Sequence, residues 1–321
     1  MSSPTGPASG LPVRMPRPRQ PGRHRRPEPV VAPAGAPPLV LAVPGTPDLT
    51  MRRTAEEILS IARSELPGLD ARVGYVDAAE ADAGEGFPAL EAVLGHAAAQ
   101  RAARTGEARE AAAAGDEAAA EALAAWDRAP DAVVVPLLAG PDSAALRRIR
   151  QSLMNSGATG ELTAALGPHP LLAEALHVRL SEAGLARADR ARLFTVATAA
   201  DGIVLATVGG EEAVQAAGIT GMLLSARLAV PVLAAALDED GAITRAADQL
   251  RSSGSHQLAL APCLVGPEVD GSLVDMAAKE AGCEAAEPLG SYPAIGKLVL
   301  AKYAEVLGIT PQPAPQGTPV R

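Results

Sequence analysis

The sequence predicts an α/β protein made of two tandem parallel-sheet domains that face each other across a central cleft. Two observations carry this. Between residues 38 and 309, short apolar runs bounded by Pro and Gly alternate with helical stretches, the pattern of buried parallel strands joined by helices. The pattern also occurs twice. Val40-Leu41-Ala42-Val43-Pro44-Gly45-Thr46-Pro47-Asp48 is echoed by Val204-Leu205-Ala206-Thr207-Val208-Gly209-Gly210-Glu211-Glu212. Val135-Pro136-Leu137-Leu138-Ala139-Gly140-Pro141-Asp142 returns as Ala261-Pro262-Cys263-Leu264-Val265-Gly266-Pro267-Glu268, and Leu166-Gly167-Pro168-His169-Pro170 as Leu289-Gly290-Ser291-Tyr292-Pro293. Matches in the same order point to a duplication. Equivalent strand ends then lie opposite each other, so function is expected in the cleft between them.

The elements follow in order. Leu39 to Val43 is a strand; Thr50 caps a helix from Met51 to Glu65, which Pro67-Gly68 stops. Ala71 to Val76 is the next strand. Residues 91 to 127 are rich in Ala, Glu, Arg and Gln, which favours helix on propensity, with Gly106 and Gly115 as candidate breaks, and read as an exposed insertion. Strand 131–138, helix 143–153, strand 161–165 and a helix from Pro170 to Ala183 close the first repeat, residues 38–184. A connector, 185–201, has an apolar end, Leu193 to Ala200, that fits helix or strand equally. The second repeat, 202–309, is expected as strand 203–208, helix 211–228, strand 231–237, helix 244–251, strand 257–262, helix 271–281, strand 284–287 and helix 294–307. Residues 1–37 and 310–321 read as disordered tails.

Composition narrows the function. At 321 residues the chain suits two domains, each burying its own core. Aromatic residues are only 2% of the chain, so Ala, Val and Leu must build that core. Cys263 and Cys283 have neither metal-ligand spacing nor a disulfide framework, which implies a reduced, cytoplasmic setting. No apolar run reaches the roughly 18 residues of a membrane span. Residues 1–37 hold six arginines, Arg14, Arg17, Arg19, Arg23, Arg25 and Arg26, against Glu28; since the whole chain is −9, the remainder carries −14. So acidic a body disfavours nucleic acid, and the basic tail is a candidate contact for a partner protein, a polyanion or the body itself.

At the strand-loop Val40 to Asp48, Tyr75-Val76-Asp77-Ala78-Ala79-Glu80, Val133 to Leu138, Leu166 to Leu172 and Glu287 to Pro293, the chain resembles the sirohydrochlorin and cobalt chelatases, CbiX-type class II chelatases, in their two-repeat form. The resemblance spans about residues 39 to 308. It implies a flavodoxin-like sheet in each half and a monomer, since two repeats replace a dimer. It also implies a tetrapyrrole in the cleft, Co2+, Fe2+ or Ni2+ as substrate for insertion, and no organic cofactor.

Such chemistry requires a donor for a first-row ion and a base for the two pyrrole protons. Imidazole suits the first task and a carboxylate the second. The family's histidine after the first strand is replaced by Pro44 here and by Val208 in the second repeat; its second histidine, after the Val-Pro-Leu-Leu strand, is missing from Ala139 to Ala144. Of the remaining histidines, His169 lies in a turn shared with the family and either fixes it by hydrogen bonding or takes part in catalysis. His177 is expected to be exposed on a helix face. His96, His256 and His24 show no paired spacing. The carboxylates keep more of the pattern. Asp77 and Glu80 follow the second strand, where the family has acids facing the cleft, and are the candidate catalytic residues. Asp142 and Glu268 sit at equivalent strand ends: they either approach each other and hold a cation or an amine, or cap the helices that follow. Gly45 and Thr46, with Gly209 and Gly210, are candidates for ligand binding because glycine permits close backbone approach.

Overall fold

The computed structural model describes residues 31–79, 84, 86–126, 129–186, 200–266 and 268–309. In the N-terminal repeat the order is β1 (Leu39–Val43), α1 (Leu49–Glu65), β2 (Ala71–Tyr75), α2 (Leu90–Ala113), α3 (Glu117–Trp126), β3 (Ala132–Pro136), α4 (Ser143–Ser156), β4 (Gly160–Leu162) and α5 (Pro170–Glu182). The C-terminal repeat runs β5 (Gly202–Thr207), α6 (Gly210–Leu228), β6 (Val232–Ala236), α7 (Ala242–Ser252), β7 (Leu258–Pro262), α8 (Gly271–Ala281), β8 (Glu284–Ala285) and α9 (Pro293–Leu307). Each repeat is a four-stranded parallel sheet, ordered β2-β1-β3-β4 and β6-β5-β7-β8, so the fold is two tandem flavodoxin-like domains. Even the register is repeated: Ala42 pairs with Pro136 in one sheet and Ala206 with Pro262 in the other.

Local chemistry explains where the elements begin. Asp48, not Thr50, caps α1, its side chain accepting from the Met51 amide at 2.7 Å. Gly106 lies within α2, and the break comes instead at Ala114 and Gly115, where Gly115 takes a positive φ of 98°. Only the first turns of α2 are buried, through Leu90, Leu94 and Ala97. They pack on β1 and β3 through Val40, Val134 and neighbours, as α7 packs on its own sheet. Helix α2 also leans on α3 and α4. The tails 1–30 and 310–321, and connector residues 187–199 with most of their apolar end, lie outside the described residues.

The two repeats do not each bury a separate core, as the chain length suggests. Each has its own apolar layer on one sheet face, but the largest cluster is shared, with Leu41, Val43 and Val135 joined to Leu205, Ala261 and Val265. The cause is topological: the last helix of each repeat crosses to the other. Helix α9 lies on α1 and β3, while α5 lies on α6 and β7. Gly296 allows the first crossing, since a Cβ there would stand 2.9 Å from the Ile58 carbonyl oxygen. Polar bonds pin the same seam. The Tyr303 hydroxyl donates to Pro37 O at 2.8 Å, Arg179 to Leu289 O, and Arg227 Nε to His177 Nδ1 at 2.8 Å.

Candidate functional site

In both sheets the carboxyl ends of the strands open on one shared mouth, formed by the loops that follow β1, β3, β5 and β7. After β1 the chain turns through Pro44-Gly45-Thr46, and the Gly45 amide donates to Asp77 Oδ2 at 2.9 Å. After β5 the Gly209 amide donates to Asp238 Oδ2 at 3.1 Å. Asp77 and Asp238 each lie two residues beyond the second strand of their repeat, so the duplication kept one device for holding the first loop. Asp77 also meets Arg148, with its Oδ1 3.1 Å from Nε. Its two oxygens are therefore engaged in fixing the loop. Glu80 lies outside the described residues.

Loops of opposite repeats touch. Gly209, at φ 111°, has no room for a side chain: a Cβ would stand 2.8 Å from Pro141 O and 3.1 Å from Asp142 Cα. Across the same seam Ser143 Oγ donates to Glu212 Oε2 at 3.2 Å. Asp142 caps α4, accepting from the amides of Ala144 and Ala145 at 2.8 and 3.0 Å. Glu268 does not cap α8; Asp270 does. Freed from that task, Glu268 folds back into its own loop and accepts from the Val265 amide at 2.8 Å. Burial, opposed by that bond and reinforced by the charge of Asp142, pushes its carboxyl up to about 8. The two acids are thus within electrostatic reach: Asp142 serves as a cap, while Glu268 holds its proton at neutral pH. Burial, helped by Glu268, likewise drives the neighbouring Cys263 thiol up to about 12.

No described histidine joins them. His169 is the cap of α5: its Nδ1 accepts from the Leu171 amide at 3.1 Å, and burial, then Lys302, lowers its pKa. His177 is buried rather than exposed, because α6 of the other repeat covers it and Arg227 binds it. His96 sits beside Gln100 on α2, and the backbone of His256 donates to Asp201. Among the described residues no three His, Cys, Asp or Glu side chains are placed to hold a metal ion. Thr46 is exposed at the mouth, and Gly210, at φ 74°, starts α6 with no side-chain cap.

Two cavities flank the mouth, related by the duplication. One, of about 580 Å³, lies between the loops after β3 and β4 and the first turns of α6; Leu146, Arg150, Ala165, Glu212 and Ile219 line it. Its counterpart, of about 560 Å³, lies between the loops after β7 and β8 and the first turns of α1, lined by Asp48, Thr54, Val265, Val274, Asp275 and Glu287. Sequence reading missed Asp238, Asp270 and these cavity residues. Asp238 was findable, since Val76-Asp77 and Leu237-Asp238 are a further echo.

No protein-family model and no curated protein matches the chain. Solved structures do. SirB from Bacillus subtilis, solved with Fe3+, is similar with a TM-score of 0.55 at 13% identity, over 84% of this chain and 95% of that one. A LacI family transcriptional regulator from Arthrobacter sp. FB24, in complex with lactose, gives a TM-score of 0.31 at 13% identity, over 86% and 92%. The ABC domain from Streptococcus pneumonia in complex with L-Trp gives 0.32 at 11%, over 85% and 84%. The likeness to SirB shows a chelatase-like fold and nothing of the chemistry. Among the described residues no helix is long and apolar enough to cross a membrane.

Proposed function

We propose that this chain is a chelatase-like binding protein that holds a tetrapyrrole at the mouth between its repeats without inserting metal. The observation that supports this most is the state of the two acids at the mouth. Asp142 is committed to capping α4, and Glu268 is neutral below about pH 8. A protonated carboxyl is a poor ligand, and Co2+, Fe2+ and Ni2+ favour imidazole, which Pro44 and Val208 do not supply. Function follows the site and not the fold, so the likeness to SirB does not offset this.

The test is insertion of Co2+ or Fe2+ into sirohydrochlorin, followed spectroscopically beside a metal-only blank. A rate equal to the blank is expected, together with a raised melting temperature on adding sirohydrochlorin. Turnover above the blank would refute the proposal, and an unmoved melting temperature with sirohydrochlorin would remove the binding half of it.

One observation favours a second reading, an active chelatase with oxygen ligands. Glu268, at about 8, is matched to accepting pyrrole protons near neutral pH, and Asp142 stands within reach to share the ion. On that reading turnover exceeds the blank and falls about a hundredfold or more in Glu268→Gln, in the range typical of losing a general base.

A further inference from the structure

The two duplicated cavities have diverged in charge. In the cavity after β7 and β8, Asp275 and Glu287 are exposed at the rim, and Asp48 stands at the start of α1. Its one cation, Arg179, is tied down, donating through Nε and Nη2 to Leu289 O and through Nη1 to Glu182. That cavity is acidic. The cavity after β3 and β4 carries Arg150 at its rim, on an exposed face of α4. Its one acid, Glu212, accepts from Ser143 across the seam. The walls between are largely apolar, with Leu146, Leu162 and Ala165 from one repeat and Ala216 and the exposed Ile219 from the other, beside Thr163 and Gln215.

We propose that the cavity after β3 and β4 binds a small apolar molecule bearing a carboxylate, with Arg150 pairing the carboxylate. Three features argue for this class of ligand. The volume, about 580 Å³, fits a drug-sized molecule. The walls offer dispersion contact to an apolar body, and a guanidinium is the side chain best shaped to take a carboxylate by two parallel hydrogen bonds. The twin cavity, with the same architecture, is lined by Asp48, Asp275 and Glu287, whose charge would repel a carboxylate. The inference does not rest on the tetrapyrrole reading, because any apolar acid of this size meets the same walls.

The experiment uses the full chain with two fluorescent probes of equal shape, 1-pyrenebutyrate and the neutral 1-pyrenebutanol. Pyrenebutyrate is expected to bind about tenfold tighter or more, the factor a charge-assisted hydrogen bond supplies. In Arg150→Gln the preference should vanish while the neutral probe binds unchanged, which also shows that the variant is folded. Glu212→Gln, which removes the opposing charge, should tighten the acid. Asp275→Asn in the twin cavity should move neither probe. Equal binding of the two probes, a preference that survives Arg150→Gln, or one that shifts with Asp275→Asn would overturn the proposal. Failure of metal insertion would not touch it, so the two conclusions fall separately.

Discussion

After its second strand the N-terminal repeat places Asp77 and the C-terminal repeat Asp238, and each accepts a hydrogen bond from the amide of the loop glycine opposite, Gly45 or Gly209. After the third strands the repeats part. Asp142 caps the helix that follows, whereas in the second repeat Asp270 takes the cap and leaves Glu268 to fold back beneath the loop. A duplication therefore keeps what holds the backbone in place and varies the acids that line the mouth. The carboxylate that fixes a loop is constrained by geometry, while one left over is free to change its protonation and its partners.

The largest expected effect tests whether the repeats are separate units at all. Leu41 on β1 and Leu205 on β5 are equivalent, fully buried and members of one cluster. Truncating either to Ala removes buried methyl groups and leaves a cavity, at a cost of about 2–5 kcal/mol. Because α5 and α9 are exchanged between the sheets, both variants should lose stability in a single transition, with circular dichroism and Trp126 fluorescence coincident. Two separated transitions would mean that each repeat stands alone despite the shared core.

That exchange marks the boundary of what the sequence makes legible. Strand and helix positions follow from apolar runs and from Pro and Gly punctuation, and they agree with the structure to within a few residues. The duplication also places the mouth. Helix exchange leaves no local trace, because α5 and α9 read as ordinary closing helices whichever sheet they cover. His177 is misread for the same reason: it stands two residues from Arg179, and its burial comes from α6. The choice between cap and cleft acid turned on one residue, since Asp270, two positions beyond Glu268, competes for the same helix amides and has the right spacing to win.

Glu268 sharpens the comparison through pH. Unfolded, its carboxyl releases a proton near the ordinary value of 4.5; folded, it keeps the proton to about 8. Between those values the folded state binds the extra proton, so this group's contribution to stability falls as pH rises through the window. Glu268→Gln does not titrate. The variant should match the native chain near pH 4.5, gain on it up to about pH 8 and hold a constant advantage above. Allowing for the partial exposure of the side chain, that advantage is about 2 kcal/mol. Urea unfolding at pH 4.5, 6, 8 and 9 measures it. A difference that stays flat with pH would mean the carboxyl is not desolvated beside Asp142, and the contrast between the two acids would collapse.

The smallest effect probes the device both repeats keep. Asp238→Ala removes a carboxylate bond to the Gly209 amide at an exposed site, worth about 1 kcal/mol. Asp77→Ala removes the matching bond to Gly45 and the ion pair with Arg148, so it should cost slightly more, by the 0–1 kcal/mol of an exposed pair. Only that excess is electrostatic over an exposed distance, so about 1 M NaCl, where the screening length is roughly 3 Å, should bring the two variants together. Melting temperatures in low and high salt read the difference, and amide exchange at Gly45 and Gly209 reads the loops directly. Faster exchange at Gly209 in Asp238→Ala, with Gly45 unmoved, is the pattern of two independent anchors. Faster exchange at both would instead mean that the loops stand or fall together through the contact of Gly209 with Asp142, and the mouth would behave as one element, not as two copies of the same turn.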